Sequence, residues 1–235
     1  MLFRSLALML MVRPQDDLGG TWADMVYGMG ASSTAAYFGT RRFPYTTDMT
    51  KNPLTFKHIG DDNPLPTDVP SNDFGIENSE FHDTGEIWAN MLFEGYLKLL
   101  GQTKADSPPY TFDEAHRRMA DYVVAGMKLA PTEPTFTEQR DAILAAALAA
   151  DPNDAALLAE GFAKRGAGSC AVAPPRDSSD NTGVVESYDV SGQLALTGVT
   201  LDDGVAPCDG DGVLDAGETG TLTISLANGG IAPIA

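Results

Sequence analysis

The spacing of apolar residues changes along this chain, and that change limits the folds it can adopt. Before about residue 170, apolar residues recur every three or four positions, as on one face of a helix. The stretch AVAPPRDSSDNTG that follows has the composition of a linker. Beyond it, apolar and polar residues alternate as in β-strands. The sequence therefore predicts a mainly α domain over 1–170, a linker over 171–184, and a β-sandwich-like module over 185–235.

Capping residues indicate where several helices of the first domain begin. Thr111 with Glu114, and Thr135 with Glu138, match the capping box, in which the two side chains satisfy free N–H groups of the first turn. They predict helices that start just after Thr111 and Thr135. Further helices are predicted over residues 3–13, 21–38, 54–59 and 82–100, and over a last segment capped by Asn153 or Asp154.

The C-terminal segment predicts short strands separated by turns. Alternating patterns occur in VVESYDV, QLALTGVTL and TGTLTISLA, which start at residues 184, 193 and 219. Three strands are too few to close a sandwich, so the second domain is expected to be cut short.

Charge excludes some classes of partner. The formal net charge is −18, whereas a surface that binds nucleic acid or anionic membranes needs clustered Lys and Arg. No segment is long enough to span a membrane. The short apolar run Leu6–Val12 lacks a cleavage site, so a helix that ends before Pro14 is expected instead of a signal peptide. Cys170 and Cys208 leave two alternatives open, one disulfide or two thiols.

The three histidines do not form a recognisable catalytic motif. No two of them stand four residues apart, so the chain contains no HExxH sequence. His82 and Glu86 are spaced to place two metal ligands on one helix face, but a surface pair or a helix-terminal hydrogen bond explains the same spacing and is commoner. His58 carries no signal alone, and His116 is expected to be a solvated or capping histidine.

A loop near the C-terminus is rich in oxygen ligands. Hard cations such as Ca²⁺ bind several oxygens from one flexible loop, and CDGDGVLDAGETG supplies them. The spacing is not that of an EF-hand, because Val213 occupies a ligand position. The alternative is an acidic turn between strands. The predicted structural calcium ligands are Asp209, Asp211, Asp215 and Glu218.

Four segments in order resemble the fungalysin family of secreted zinc metalloendopeptidases. They are RRFPYTTDMTKNPLTFKHI from residue 41, HDTGEIWANMLFE from 82, PTFTEQRDAIL from 134 and FAKRGAGSCA from 162. Over about residues 5–190 they resemble the C-terminal, mainly helical lobe of these thermolysin-like peptidases. The segment DGDGVLDAGETGTLTISLANGG resembles the opening of an immunoglobulin-like β-sandwich appended to many secreted bacterial enzymes.

The resemblance implies roles for two residues. In this family two histidines of HExxH and a later glutamate hold zinc, and the HExxH glutamate activates water. In related thermolysin-like enzymes a further histidine of the second lobe stabilises the oxyanion of the tetrahedral intermediate. The resemblance implies that His82 is that catalytic histidine and that Glu77 orients its ring. It also implies a secreted protein with a protein or peptide substrate.

The chain departs from the family pattern at the zinc site. HExxH is absent, and SLALMLMVRP resembles the sequence that follows the family's GEGW-type third-ligand motif, so that ligand would precede Met1. The chain is therefore expected to be the C-terminal part of a zinc endopeptidase, inactive without an N-terminal lobe that carries HExxH. The alternative is a non-catalytic secreted binding or structural module stabilised by calcium.

Overall fold

A computed structural model describes residues 2–24, 33–72, 77–192, 194–206 and 211–228 of the chain. The chain forms two compact units, Met1–Val190 and Ser191–Ala235. The first is helical and the second contains an antiparallel pair of strands. The predicted order, a mainly α part followed by a β segment, is confirmed.

The elements of the first unit are α1 (Leu2–Met11), α2 (Ser33–Phe38), a 3-10 helix (Phe56–Ile59), α3 (Phe81–Gln102), α4 (Phe112–Leu129), α5 (Phe136–Ala150) and α6 (Pro152–Lys164). The second unit contains β1 (Leu194–Ala206) and β2 (Thr219–Asn228).

Helix α3 is the centre of the first unit. From Thr84 to Leu100 every residue except Lys98 is buried. A helix buried on all sides must be surrounded by other elements, and α3 packs against α1, α4, α6 and the 3-10 helix. Its first turn lies at the surface, where Phe81 and His82 are exposed. The position of α3 therefore decides where His82 is presented.

The predicted helix starts are confirmed where a capping box marks them. The hydroxyl groups of Thr111 and Thr135 accept hydrogen bonds from the backbone N–H groups three residues on, and the matching glutamates bond back. The predicted cap of α6 was wrong. Asp151 caps this helix and Pro152 occupies its first position, because Asp154 turns inward and is buried.

The predicted helix 21–38 was also wrong at its start. Trp22 pairs with Tyr45 in an antiparallel bridge, with N–O distances of 2.9 and 2.8 Å. The Trp22 ring meets the edge of the Phe93 ring at 5.2 Å. These contacts hold Trp22 in an extended conformation. Residues 25–32 lie outside the described ranges, and the helix that is described there is α2.

Helices α3 and α6 approach each other through two glycines. A Cβ atom built on Gly161 would lie 2.5 Å from the backbone nitrogen of Gly95 and 2.7 Å from its Cα. Backbone atoms of a buried helix cannot move aside as the end of a flexible side chain can. The close contact between these helices therefore depends on glycine at position 161.

Substituting Gly161→Ala is expected to lower the free energy of unfolding by about 2–3 kcal/mol, because the added methyl group separates α3 from α6. Denaturant titration followed by helical circular dichroism measures this change. Gly101→Ala is the matched control, since a Cβ at Gly101 has no neighbour within 4 Å. Alanine there is expected to stabilise α3 by up to ~1 kcal/mol. Equal stability of wild type and Gly161→Ala would contradict the packing described here.

Residues 171–190 pack on the helical unit. Val172 pairs with Val185, and Ala167 pairs with Ser187. The Asp61 N–H donates to the carbonyl of Asp180 at 3.0 Å. The first compact unit thus extends to Val190, beyond the predicted linker. The predicted strand over 184–190 forms isolated bridges only.

The β1–β2 hairpin has one apolar face. Leu222, Ile224 and Leu226 alternate along β2 and therefore point to the same side. They pair with Leu201, Val199 and Leu196 of β1. All six side chains are exposed, by 39–63%. Among the helices in the described ranges, none combines the length and apolar character that crossing a bilayer requires.

Candidate functional site

His82 lies in the first turn of α3 and is held by the residue that caps this helix. One carboxylate oxygen of Glu80 accepts the His82 backbone N–H at 2.7 Å, and the other contacts ring Nδ1 at 2.7 Å. Because a carboxylate only accepts hydrogen bonds, Nδ1 carries a proton. The side chain of His82 remains 51% exposed. The ring therefore has a defined orientation at the surface, with Nε2 as its second polar atom.

The carboxylate on the His82 ring is that of Glu80, whereas the resemblance implied Glu77. Glu77 contributes its carbonyl oxygen, which accepts the Glu80 N–H at 3.0 Å, and its side chain is exposed. Burial raises the pKa of the Glu80 carboxyl, but hydrogen bonds from His82 outweigh it and hold that pKa below its usual value. Glu80 is therefore ionised at neutral pH.

An exposed aromatic ring lies against the imidazole. The centroids of the Phe81 and His82 rings are 3.9 Å apart, with a 37° angle between the planes. Phe81 is 66% exposed. Glu80 and Phe81 thus contact the imidazole at the start of α3.

Glu86 does not face His82, so the alternative of a two-residue metal site on this helix face was wrong. Glu86 is fully buried, and its carboxylate accepts Arg42 Nε at 3.0 Å and the Phe43 N–H at 2.9 Å. Burial raises the pKa of Glu86, against the opposing charge of Arg42. The pair is part of the interior that supports α3.

The other two histidines lie elsewhere in the unit. His116 Nδ1 is 3.0 Å from the hydroxyl of Tyr96, so this residue links α4 to α3 and is not simply solvated as predicted. His58 is buried, and its Nδ1 accepts the Thr55 N–H at 2.9 Å. Within the described ranges, no group of three His, Cys, Asp or Glu side chains could hold a metal ion. These residues therefore do not fit a zinc site.

His58 is expected to make the helical unit less stable in acid. Burial, with a smaller contribution from Lys57, lowers the pKa of His58 from 6.5 to about 4. Between these values the unfolded chain binds a proton that the folded chain does not, so stability falls as the pH falls. The loss is roughly 3 kcal/mol across this window.

Urea titrations at several pH values, on wild type and His58→Asn, measure this contribution. The amide oxygen of asparagine can still accept the Thr55 N–H, and the carboxyl groups titrate in both proteins. The difference in free energy of unfolding between the two proteins should therefore change as the pH is lowered from about 6.5 to about 4. A difference that is independent of pH would contradict the assignment.

The predicted calcium ligands are described only in part. Asp209 and Cys208 lie outside the described ranges. The Asp211 carboxylate accepts the Val213 N–H, and the Glu218 carboxylate accepts the Asp215 N–H, both at 2.8 Å. These are hydrogen bonds of tight turns. The calcium site and the state of the two cysteines stay predictions.

A second buried ion pair lies two turns further along α3. Glu94 accepts Arg165 Nε at 2.8 Å and Lys164 Nζ at 2.9 Å. Arg165 also donates to the carbonyl oxygens of Asn52 and Leu54, at 2.6 and 3.0 Å. Sequence reasoning missed this cluster and the Arg42 cluster, because each arginine is far in sequence from its glutamate.

Two surface pockets formed by the described residues have walls that do not include His82. One of about 330 Å³ includes Glu94, Lys98 and Lys164 in its wall. The other, of about 340 Å³, includes Tyr110 and Asp154. The Asp154 carboxylate is buried and accepts Tyr110, Tyr122 and Arg118, so its contacts are already satisfied within the unit. His82 remains the best-placed candidate.

Residues 6–171, which include His82 and each of the described α-helices in whole or part, match the model of the fungalysin metallopeptidase family, M36. The chain belongs to the fungalysin family. An extracellular metalloproteinase of Aspergillus terreus is 35% identical over 172 residues, which cover 70% of this chain and 24% of the relative. An extracellular metalloproteinase of Neosartorya fischeri is 32% identical over 166 residues, which cover 67% of this chain and 24% of the relative.

The predicted resemblance to the fungalysin family is therefore confirmed. A third relative, extracellular metalloproteinase 5 of Arthroderma benhamiae, is 27% identical over 76% of this chain and 26% of its own length. The fungalysin chain described here thus spans about a quarter of the length of these relatives. The family name implies a metal-dependent peptidase.

Proposed function

We propose that this chain forms the C-terminal, mainly helical part of a secreted zinc metalloendopeptidase that hydrolyses peptide bonds in proteins. The observation that carries the proposal is the family match over residues 6–171, a stretch that includes His82 on its Glu80 partner. The names of the relatives support a peptidase and an extracellular location.

In this proposal His82 stabilises the negative charge that develops on the oxygen of the scissile carbonyl. A hydrogen-bond donor aimed at this oxygen lowers the barrier most when its orientation is fixed beforehand. Glu80 fixes the ring through Nδ1 of His82, and donation from Nε2 to the substrate oxygen requires the imidazolium form, in which both ring nitrogens are donors. Glu80 takes the orienting role first assigned to Glu77, and Glu77 is retained as the competing assignment.

Zinc, as the family's metal, would polarise the carbonyl and activate water. The described residues do not form a site for it, so we assign no zinc ligand to this chain. The ligands and the general base belong to an N-terminal lobe with HExxH, which the peptidase requires. The chain alone is expected not to cleave proteins.

The experiment compares the chain alone with the chain joined to the zinc-binding lobe of one of the relatives. Hydrolysis of a fluorogenic protein substrate is measured with added zinc and with a chelator. Activity of the joined protein alone, lost with the chelator, supports the proposal. A joined protein that folds and binds zinc but has no activity would contradict it and favour the non-catalytic binding module.

A further inference from the structure

The buried side chain of Arg42 forms hydrogen bonds with residues that precede His82 and with residues that follow it at the start of α3. The Arg42 side chain is 2% exposed. Its Nη1 donates to Asn78 Oδ1 at 2.8 Å, on the N-terminal side of His82. Its Nη2 donates to the carbonyl oxygen of Asp83 at 3.0 Å, and its Nε donates to Glu86 at 3.0 Å, both on the C-terminal side.

The segment between these contacts lies largely at the surface, where the N–H and the hydroxyl group of Ser79 both donate to the Asp61 carboxylate at 2.8 Å. Glu80 and Asp83 are partly exposed, and Phe81 and His82 are exposed. Exposed first turns of helices fray, since their N–H groups have no intrahelical partners. Asn78 is itself attached, because its Nδ2 donates to the carbonyl oxygens of Gly60 and Asn63 at 3.1 and 2.6 Å. Arg42 therefore connects the exposed turn to a fixed part of the fold.

We propose that Arg42 is a positioning residue for His82, holding the loop-to-helix junction 78–86 in the geometry in which Glu80 bonds the imidazole. The effect on catalysis rests on the proposed function, whereas the effect on the junction does not. Arg42 acts on the ring through Asn78, Asp83 and Glu86.

Only an arginine can make this set of contacts. The planar guanidinium group donates in three directions to acceptors that belong to three residues. A lysine at position 42 keeps the charge near Glu86 but offers one compact ammonium group. Arg42→Lys therefore retains an ion pair with Glu86 but loses most of the hydrogen bonding to Asn78 Oδ1 and to the Asp83 carbonyl oxygen.

The second ion pair of α3 provides a matched control. Arg165 and Glu94 are buried to the same degree as Arg42 and Glu86. Arg165 likewise donates to backbone carbonyl oxygens. Its contact on α3 is Glu94, more than three turns from His82. Arg165→Lys therefore perturbs the same helix by the same chemical change without altering the junction.

The first test uses the whole 235-residue chain and measures hydrogen exchange and the imidazole NMR signals of His82. In Arg42→Lys, exchange at the amides of residues 82–84 is expected to accelerate at least ~10-fold more than in Arg165→Lys. The His82 Nδ1 proton signal should broaden or disappear in Arg42→Lys only. Equal behaviour of the two variants would overturn the proposal.

If Arg42→Lys does not fold, Asn78→Ala tests the same connection. This variant removes the acceptor of Arg42 Nη1 on one side of His82 and leaves the Arg42–Glu86 pair in place. Faster exchange at residues 82–84, relative to the rest of α3, supports the proposal. Unchanged exchange there overturns it.

The second test measures kinetics in the joined enzyme. Arg42→Lys is expected to lower kcat at least ~10-fold with KM within about twofold, as for an interaction made in the transition state. Combined with His82→Ala, it should cause little further loss. If His82→Ala leaves kcat unchanged, the proposed function fails, while the exchange test still decides the positioning role. If His82→Ala lowers kcat and Arg42→Lys does not, the positioning proposal fails alone.

Discussion

Replacing His82 by alanine in the joined enzyme is expected to lower kcat by about 10²–10³-fold, the usual effect of removing an oxyanion donor. KM should change little, because the lost interaction strengthens only in the transition state. Zinc content should not change, since His82 does not belong to a metal-binding group in the described part of the chain. Steady-state kinetics and metal analysis of the purified proteins measure both quantities. Loss of zinc would instead identify His82 as a ligand.

Two conservative substitutions decide which carboxylate orients the ring. Glu80→Gln is expected to lower kcat at least ~10-fold, because the amide no longer holds the Nδ1 proton as a carboxylate does. Glu77→Gln should have little effect, since the Glu77 side chain is exposed and its contact with Glu80 uses the main chain. The reverse pattern would restore the role first assigned to Glu77. His116→Gln, whose amide can either donate to or accept from the Tyr96 hydroxyl, is the control for losing a histidine.

Replacing Arg165 by methionine is expected to lower the free energy of unfolding by about 3 kcal/mol or more, because Glu94 is left as a buried charge. Lys164 still contacts Glu94, which keeps the loss near the lower end of the usual range. The carbonyl oxygens of Asn52 and Leu54 also lose their donor. Chemical denaturation of the 235-residue chain measures the change.

Arg117→Met is the matched control for removing an arginine from an ion pair. Arg117 and Asp121 are exposed by 79% and 63%, and such pairs are worth only ~0.5 kcal/mol. The double variant Glu94→Met with Arg165→Met should recover part of the stability, because no unpaired carboxylate remains. If Arg165→Met lowers the free energy of unfolding no more than Arg117→Met does, the buried pair of Arg165 and Glu94 does not stabilise the fold.

Features that depend on nearby residues were predicted well from the sequence. The starts of α4 and α5 follow from capping boxes, in which the two partners are three residues apart. The alternation in residues 193–201 and 219–227 correctly indicated β1 and β2. The cap of α6 was misplaced by two or three residues because Asp151, Asn153 and Asp154 are all acceptable caps. Only the inward contacts of Asp154 distinguish them.

Features that depend on distant partners could not be predicted in this way. Trp22 lies in a segment of helical composition, but its pairing with Tyr45 overrides that preference. The spacing of His82 and Glu86 suggested a shared site, whereas Arg42, remote in sequence, turns Glu86 into the interior. The resemblance pointed to His82, and the structure was needed to identify Glu80 as its neighbour.

The contacts of Arg165 also bear on the order in which the chain folds. This residue joins Glu94 to Thr46, Asn52 and Leu54, which lie more than a hundred residues earlier in the chain than Arg165 itself. On the ribosome, residues 40–55 emerge long before Arg165 is synthesised. The early segment must therefore wait for the end of α6 before it acquires its native partners. Contacts of such long range slow folding, so the helical unit is expected to form as one cooperative step late in synthesis.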